Sequence, residues 1–289
     1  MRVSETISCP LCSREVRERL RLPHTRVYKC RAPDCRLQFA EPQLGDDALA
    51  DAYRRLYYPP GGTQRPVIEN TPHEVISQAL RGISERLGPA RRGGRLLDYG
   101  CGQGELSKIA REHGFLPVGI EQDEEARREI GREGLFPVHP NIEALARQDP
   151  QARFDLIVLW NVIEHLRRPW EDLARLRGLL AEGGELVAAT PNASGLKAGV
   201  LGARWSDYAN PTHFYYFTPR SLRAVFAEAG FSPIEEWRLK IVYPHHGRLW
   251  RGLHPLLGAA RLGGDLFVAG GSGGRRATQT ERNRGTGSH

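Results

Sequence analysis

The sequence predicts an α/β fold, a mostly parallel sheet with helices on both faces, preceded by a small cysteine-rich module. Three observations carry this expectation. From Arg95 onward, apolar segments of strand length alternate with segments of helical period. The stretch LLDYGCGQGELSKIAREHG, residues 96–114, passes from a strand through three glycines into a helix. Four of the five cysteines lie within the first 35 residues.

Those four are Cys9, Cys12, Cys30 and Cys35, in the pattern C-x2-C, seventeen residues, C-x4-C. Two close pairs around a short segment suit two thiolate knuckles closing on one tetrahedral zinc. CPLCS supplies the proline and small residue of a tight turn, and Arg26-Val27-Tyr28-Lys29 reads as a strand entering the second knuckle. Disulfides are the alternative, which a cytoplasmic setting disfavours. Four thiolates leave no open coordination position, so the zinc would be structural and would supply folding energy that so short a segment lacks. The module is expected over residues 1–44.

Residues 45–92 read as a helical linker or lid. DDALADAYRRLYY (46–58) has helical spacing and stops at Pro59-Pro60-Gly61-Gly62, and a second helix is expected over His73–Leu87, started by Thr71-Pro72. PARRGG (89–94) leads into the main domain, placed at 93–272. Its expected strands are Arg95–Tyr99, Leu116–Glu121, Phe136–Val138, Phe154–Trp160, Glu185–Thr190, Pro233–Leu239 and Asp265–Ala269, with helices near 103–113, 123–133, 142–147, 169–181 and 218–229. The segment 243–264 is expected to be a mobile insert. Residues 273–289 are polar and apolar-poor, the composition of a disordered tail.

Composition narrows the class. With 40% hydrophobic and 26% charged residues the chain reads as globular. No apolar run approaches the roughly 18 residues of a membrane span. MRVSETISCPLC has no apolar core of a secretory signal, so the cytoplasm is the expected compartment. Of the net charge of +7, the tail after Gly274 carries +3, in Arg275, Arg276, Arg282 and Arg284 against Glu281. No basic stripe interleaved with aromatics appears, which makes nucleic acid an unfavoured partner. Oligomeric state is not legible.

The glycines point to a ligand. In a doubly wound sheet the turn after the first strand must let a ligand touch backbone. Gly100, Gly102 and Gly104 remove side chains there and permit positive φ, and the following helix aims its first amides at the ligand. Glu121, ending the second strand, is placed to accept hydrogen bonds from both hydroxyls of a ribose. The sequence G-C-G-Q-G-E-L lacks the third glycine of a dinucleotide fingerprint. Asp98 would repel a pyrophosphate but would hold an α-amino group. An amino acid joined to adenosine, S-adenosylmethionine, fits both carboxylates.

At these residues the chain resembles the class I S-adenosylmethionine-dependent methyltransferases, with a Rossmann-like seven-stranded sheet. The resemblance covers roughly residues 74 to 270 and rests on LLDYGCGQG, VGIEQDEEA, FDLIVLWNVIEHL, LLAEGGELVAATPN and HFYYFTPRSLRAVFAEAGF. The cysteine-rich start with LQFAEP and AYRRLYY is similar to a subgroup carrying an N-terminal zinc-ribbon-like module, whose members methylate small molecules such as sugars and secondary metabolites. The C-x4-C pair departs from that subgroup's C-x2-C. The resemblance implies that Asp98, Gly100 and Gly102 line the methionine end of the cofactor and that Gly104 shapes the loop. It implies Glu121 on the ribose, Gln122 beside the adenine, Asn141 on the adenine amino group and Asn161 beside the methyl group. The alternative for each is a strand-end residue that satisfies local backbone, in the form of an Asx turn for Asn141.

A sulfonium is an activated donor, so positioning supplies much of the rate, and a general base serves an acceptor that must lose a proton. His165, in N-V-I-E-H-L, and His213, in N-P-T-H-F-Y-Y-F, are the candidates; a turn-capping role is the alternative for each. Some similar methyltransferases hold a divalent metal through E-x-x-E-H, but Asn161 occupies the first position, so no catalytic metal is expected. Phe214, Tyr215, Tyr216 and Phe217, with Trp205 and Tyr208, read as part core and part acceptor pocket, since alternate residues cannot all face one way. Tyr57 and Tyr58 read as core, or as a cover over the cofactor. The expected activity is methylation of a small-molecule acceptor, a sugar or biosynthetic intermediate, at O, N or C. The alternatives are an RNA or protein methyltransferase gripping through the zinc module, a cofactor-binding regulatory protein without turnover and, least of all, an NAD-dependent oxidoreductase.

Overall fold

The computed structural model describes residues 7–57, 71–88, 93–239, 241 and 264–271. The tail 273–289, Tyr58 and nearly all of the segment 243–264 lie outside the described residues.

Three strands open the chain: β1 (Val16–Arg21), β2 (Arg26–Cys30) and β3 (Gln38–Glu41), paired antiparallel in sequence order. Two helices follow, α1 (Asp46–Leu56) and α2 (His73–Leu87). The main domain then alternates β4 (Arg95–Tyr99), α3 (Glu105–Glu112), β5 (Leu116–Ile120), α4 (Glu124–Glu133), β6 (Val138–His139), α5 (Ile142–Gln148), β7 (Phe154–Trp160), α6 (Pro169–Arg177) and β8 (Leu180–Pro191). After two short helices, α7 (Leu196–Leu201) and α8 (Ser206–Ala209), come β9 (Tyr215–Tyr216), α9 (Pro219–Glu228), β10 (Ile234–Glu236) and β11 (Asp265–Gly271).

The large sheet has the order β10-β11-β8-β7-β4-β5-β6. Its strands from β8 to β6 run parallel, while β11 lies antiparallel to β8 and β10 antiparallel to β11. The expectation of seven strands and a mostly parallel sheet therefore holds. The central strand explains the architecture. Leu156, Ile157, Val158 and Leu159 are all fully buried, as a strand covered on both faces requires. Leu156 and Val158 join the cluster formed with Val75, Ala79 and Leu80 of α2 and Ile109 of α3. Ile157 and Leu159 join the opposite cluster with Leu173 of α6 and Leu222 of α9. The period of two thus assigns each side chain to one layer.

Several boundaries differ from the sequence expectation, each for a local reason. β6 starts at Val138 instead of Phe136, because Pro137 has no N–H for the ladder, though its carbonyl accepts from Gly119 N at 2.9 Å. β8 begins at Leu180, five residues early, and α6 ends at Arg177. Gly183, at φ 65°, lets the strand bulge so that Leu180 pairs with Phe154 and Glu185 with Leu156.

One connection was not legible in the sequence. β9 joins the small N-terminal sheet, giving the order β1-β2-β3-β9, with Gln38 opposite Tyr216 and Phe39 opposite Tyr215. The four aromatics at 214–217 are at most 2% exposed, so all four are core where the sequence suggested a mixture of core and pocket.

Candidate active site

Parallel strands end on one edge, and there the predicted residues gather. The loop after β4 folds back on β5: Gly100 N and Cys101 N both donate to Ile120 O, at 2.8 and 2.9 Å. Gly100, Gly102 and Gly104 all have positive φ, at 76°, 53° and 79°. They are not equivalent. A Cβ on Gly104 would stand 2.6 Å from the Phe136 ring, and one on Gly100 would stand 2.7 Å from Val162. A Cβ on Gly102 would meet nothing within 4 Å, so this is the glycine with open space before it.

Two carboxylates flank the loop. Asp98, 2% exposed, accepts from Ser107 Oγ at 2.8 Å. Burial pushes its pKa up to about 7, against the lowering effect of the Ser107 bond and aided by Glu121. Glu121 accepts from Gly102 N through Oε2 and from Asp123 N through Oε1, both at 2.8 Å, and burial raises its pKa too. Gln122 is exposed beside it. Asn141 is exposed and caps α5, accepting from Ala144 N at 2.8 Å, so its carbonyl oxygen is engaged in the Asx role that was the alternative reading. Asn161 follows β7 at φ 52°, in the left-handed region that asparagine tolerates better than most residues.

The histidines meet on the same edge. A one-turn helix, Ile163–His165, follows β7. His165 Nδ1 lies 3.0 Å from Thr212 O; a carbonyl only accepts, so Nδ1 carries a proton and donates it to that bond. The rings of His165 and His213 are 4.6 Å apart and nearly perpendicular. His213 is 4% exposed, its Nδ1 lies 3.9 Å from Asp207, and Nε2 has no hydrogen-bond partner among the described residues. Burial, helped by His165, drives its pKa well below 6.5. Glu164, which the sequence reading named only within a motif, completes the group. It is 1% exposed, accepts from Thr190 Oγ1 at 2.9 Å, and offers one donor atom within 4.8 Å of one each from His165 and His213.

Tyr57 lies against these histidines instead of the glycine loop. Its ring meets His165 edge-on at 5.9 Å, and its hydroxyl accepts from Asn210 Nδ2 at 2.9 Å. Nothing in the sequence pattern joined Asn210 or Thr212 to Tyr57. A groove of about 660 Å³ beside α9, lined by Arg220, Arg223 and Arg238 with Glu235 and Glu236, includes none of these residues.

The four N-terminal cysteines also converge. All are free, and their sulfurs lie within 4.8 Å of one another, with Cys9 to Cys35 at 3.7 Å and Cys12 to Cys30 at 3.6 Å. The wide second pair closes like the first. Ser13 and Arg36, each following the second cysteine of a knuckle, both have φ 57°, and their amides donate to Cys9 O and Ala32 O. The two extra residues are taken up before that turn. A bond from Cys35 draws the Cys9 thiol down to about 5; burial raises Cys30 to about 11, and the same bond raises Cys35.

A glycine turn after the first parallel strand, carboxylates at two strand ends and this strand order define the Rossmann-like fold of class I methyltransferases. Residues 72–236 match the family described as "Methyltransferase domain", and the chain belongs to it; it is a methyltransferase. The cysteine knuckles precede the matched residues. A ubiquinone biosynthesis O-methyltransferase of Cereibacter sphaeroides (strain ATCC 17025 / ATH 2.4.3) is 31% identical over 205 residues, covering 65% of this chain and 82% of that protein. A similar protein of Ruegeria pomeroyi, bearing the same name, is 30% identical over 203 residues, with the same coverages. Among solved structures, a methyltransferase from Archaeoglobus fulgidus shares the fold at TM-score 0.50 and 22% identity, covering 69% of this chain and 94% of its own. The Burkholderia thailandensis 1,6-didemethyltoxoflavin-N1-methyltransferase, solved with that compound and S-adenosylhomocysteine, shares it at TM-score 0.52 and 16% identity, covering 83% and 97%.

Proposed function

We propose that the chain transfers the methyl group of S-adenosylmethionine to a hydroxyl of a small-molecule acceptor. The observation that carries this reading is the pair of adjacent histidines, buried His213 and half-buried His165. His213 is held neutral by its surroundings beside His165, at the strand-end edge that carries the glycine loop. A neutral imidazole is the form that accepts the proton a hydroxyl must lose. The relatives named above are O-methyltransferases, which supports oxygen as the atom methylated.

In this reading Gly102 faces the cofactor, Asp98 holds its α-amino group, Glu121 accepts from the ribose, and Asn161 borders the methyl group. Gln122 and Asn141 flank the adenine, Asn141 through the amide group left free by its cap. The group itself supplies an electrophilic methyl on sulfur. The protein's residues orient it, exclude water and take up the acceptor's proton. The four cysteines hold one zinc with a structural role. Four sulfurs about 2.3 Å from one centre in tetrahedral array stand roughly 3.8 Å apart, close to the contacts between Cys9 and Cys35 and between Cys12 and Cys30.

The test is transfer of labelled methyl from S-adenosylmethionine into a cell extract separated into small-molecule, RNA and protein fractions. Label in the small-molecule fraction, stable to base and released by ether-cleaving acid as that of a methyl ether is, is the expected result. Label confined to RNA or protein overturns the reading.

A second expectation concerns protons. Asp98, with a pKa of about 7, is partly protonated at neutral pH in the free protein. A ligand ammonium favours its ionised form, so binding expels a proton, and affinity for S-adenosylhomocysteine rises as pH rises through about 7. Calorimetry in buffers of different ionisation enthalpy will register that release. Asp98→Asn removes it; an unchanged proton count in the variant would detach Asp98 from the amino group.

A further inference from the structure

We infer that the N-terminal cysteine module is a positioning device for His213: the knuckles fix β3, and β3 fixes the backbone on which His213 stands. This rests on the assignment of a metal to the four cysteines and goes beyond it by giving the module a task at the acceptor side.

The connection is short and can be followed bond by bond. Cys30 N donates to Leu37 O at 2.8 Å, so closing the second knuckle sets the residue from which β3 departs. β3 pairs with β9, and beyond the paired residues Ala40 N donates to Phe214 O at 2.8 Å. From the other side, Phe214 N donates to Glu164 O, also at 2.8 Å. The residue after His213 is therefore clamped between the strand that follows the knuckles and the one-turn helix that carries Glu164 and His165. His213 itself has no strand partner; its N donates to Asn210 O at 3.2 Å and its Nδ1 lies 3.9 Å from Asp207 of α8, so the clamped backbone beside it and α8 together place the ring.

The packing agrees. The module does not bury its apolar face within itself. Val27 and Ala40 pack with Ala193, Trp205, Tyr208 and Tyr216 of the segment between β8 and α9. That segment consists of short helices and turns, and β9 is its one ladder strand among the described residues. The two parts thus share one apolar cluster, and on this inference a metal that secures one secures both. A module used to grip a macromolecule has no need of this bond pattern.

The experiment is hydrogen exchange on the full chain, as purified and after treatment with a zinc chelator, with metal content measured in each sample. Removal of the metal is expected to speed exchange of the amides in 213–217 by about tenfold or more, together with those of β2 and β3. Exchange in β4, β5 and β7 and the affinity for S-adenosylhomocysteine should stay within about twofold. Unchanged exchange at 213–217 after the metal has left overturns the inference, and so does an equal loss of protection throughout, which would mark general destabilisation. Ala40→Pro provides the second arm: it deletes the one N–H that reaches Phe214 and leaves every cysteine in place. Retained metal with fast exchange at 213–217 supports the inference, and retained protection there overturns it. A chain purified without metal defeats the zinc assignment by itself, while Ala40→Pro still decides whether β3 positions the segment.

Discussion

His213→Gln is expected to lower kcat on a hydroxyl acceptor by about 10²–10⁴-fold, the range that general-base catalysis contributes. Affinity for S-adenosylhomocysteine should be unaffected, since the histidine lies beyond the glycine loop. Glutamine preserves much of the volume of a side chain that is 4% exposed, so the loss reads on proton transfer more than on packing. The wild-type profile carries a second mark. Because burial holds the His213 pKa well below 6.5, the base stays active on the acid side of neutrality, and the falling limb of kcat/KM lies below pH 6.5. Stability follows the same sign. The unfolded chain binds the proton that the folded chain refuses, so this contribution is complete above pH 6.5 and is lost as the pH falls below it. A rate restored by added divalent cation would reassign Glu164, His165 and His213 to a metal, and an unchanged kcat would remove His213 from the chemistry.

Glu121→Ala is expected to weaken S-adenosylhomocysteine binding by about 100-fold or more, from the loss of two charge-assisted bonds of about 1.5–3 kcal/mol each. The carboxylate has a second task that deepens the effect. It accepts from Gly102 N and Asp123 N, tying the glycine loop to the start of α4. Glu121→Gln keeps an acceptor oxygen and is expected to fall between the two, near tenfold, since it retains about half of those bonds. Titration by calorimetry gives both numbers. Equal affinity in Glu121→Ala and wild type would place the ribose elsewhere.

The parts of this fold that sequence could disclose are those set by local pattern. The helix His73–Leu87 is found at its expected bounds because its apolar residues repeat at helical spacing and Pro72 precedes it. β4 and β7 likewise match, since buried parallel strands are continuous apolar runs between turn residues. The glycine loop was legible because positive φ at three nearby positions leaves few other residues to use. What stayed hidden depends on contacts between distant segments. The two tyrosines of β9 are too short a strand to show a period, and their partner lies in another module. Glu164 looks like any acidic residue near a strand end until burial and Thr190 single it out. Tyr57 could be read as a cover for the cofactor because the sequence does not tell which strand end a helix will reach; its bond with Asn210 does.

The pairing of Gln38 with Tyr216 also constrains the order of events during synthesis. The cysteine knuckles are made before β9, and the β3 edge of their sheet stays open until residue 216 has left the ribosome. At about 5–20 residues per second that interval lasts roughly 10–40 s. For that time β3 offers unpaired N–H and C=O groups to any passing strand. A sheet begun before the parallel strands is thus completed only after them, and until then newly made chains are open to mispairing with one another through β3.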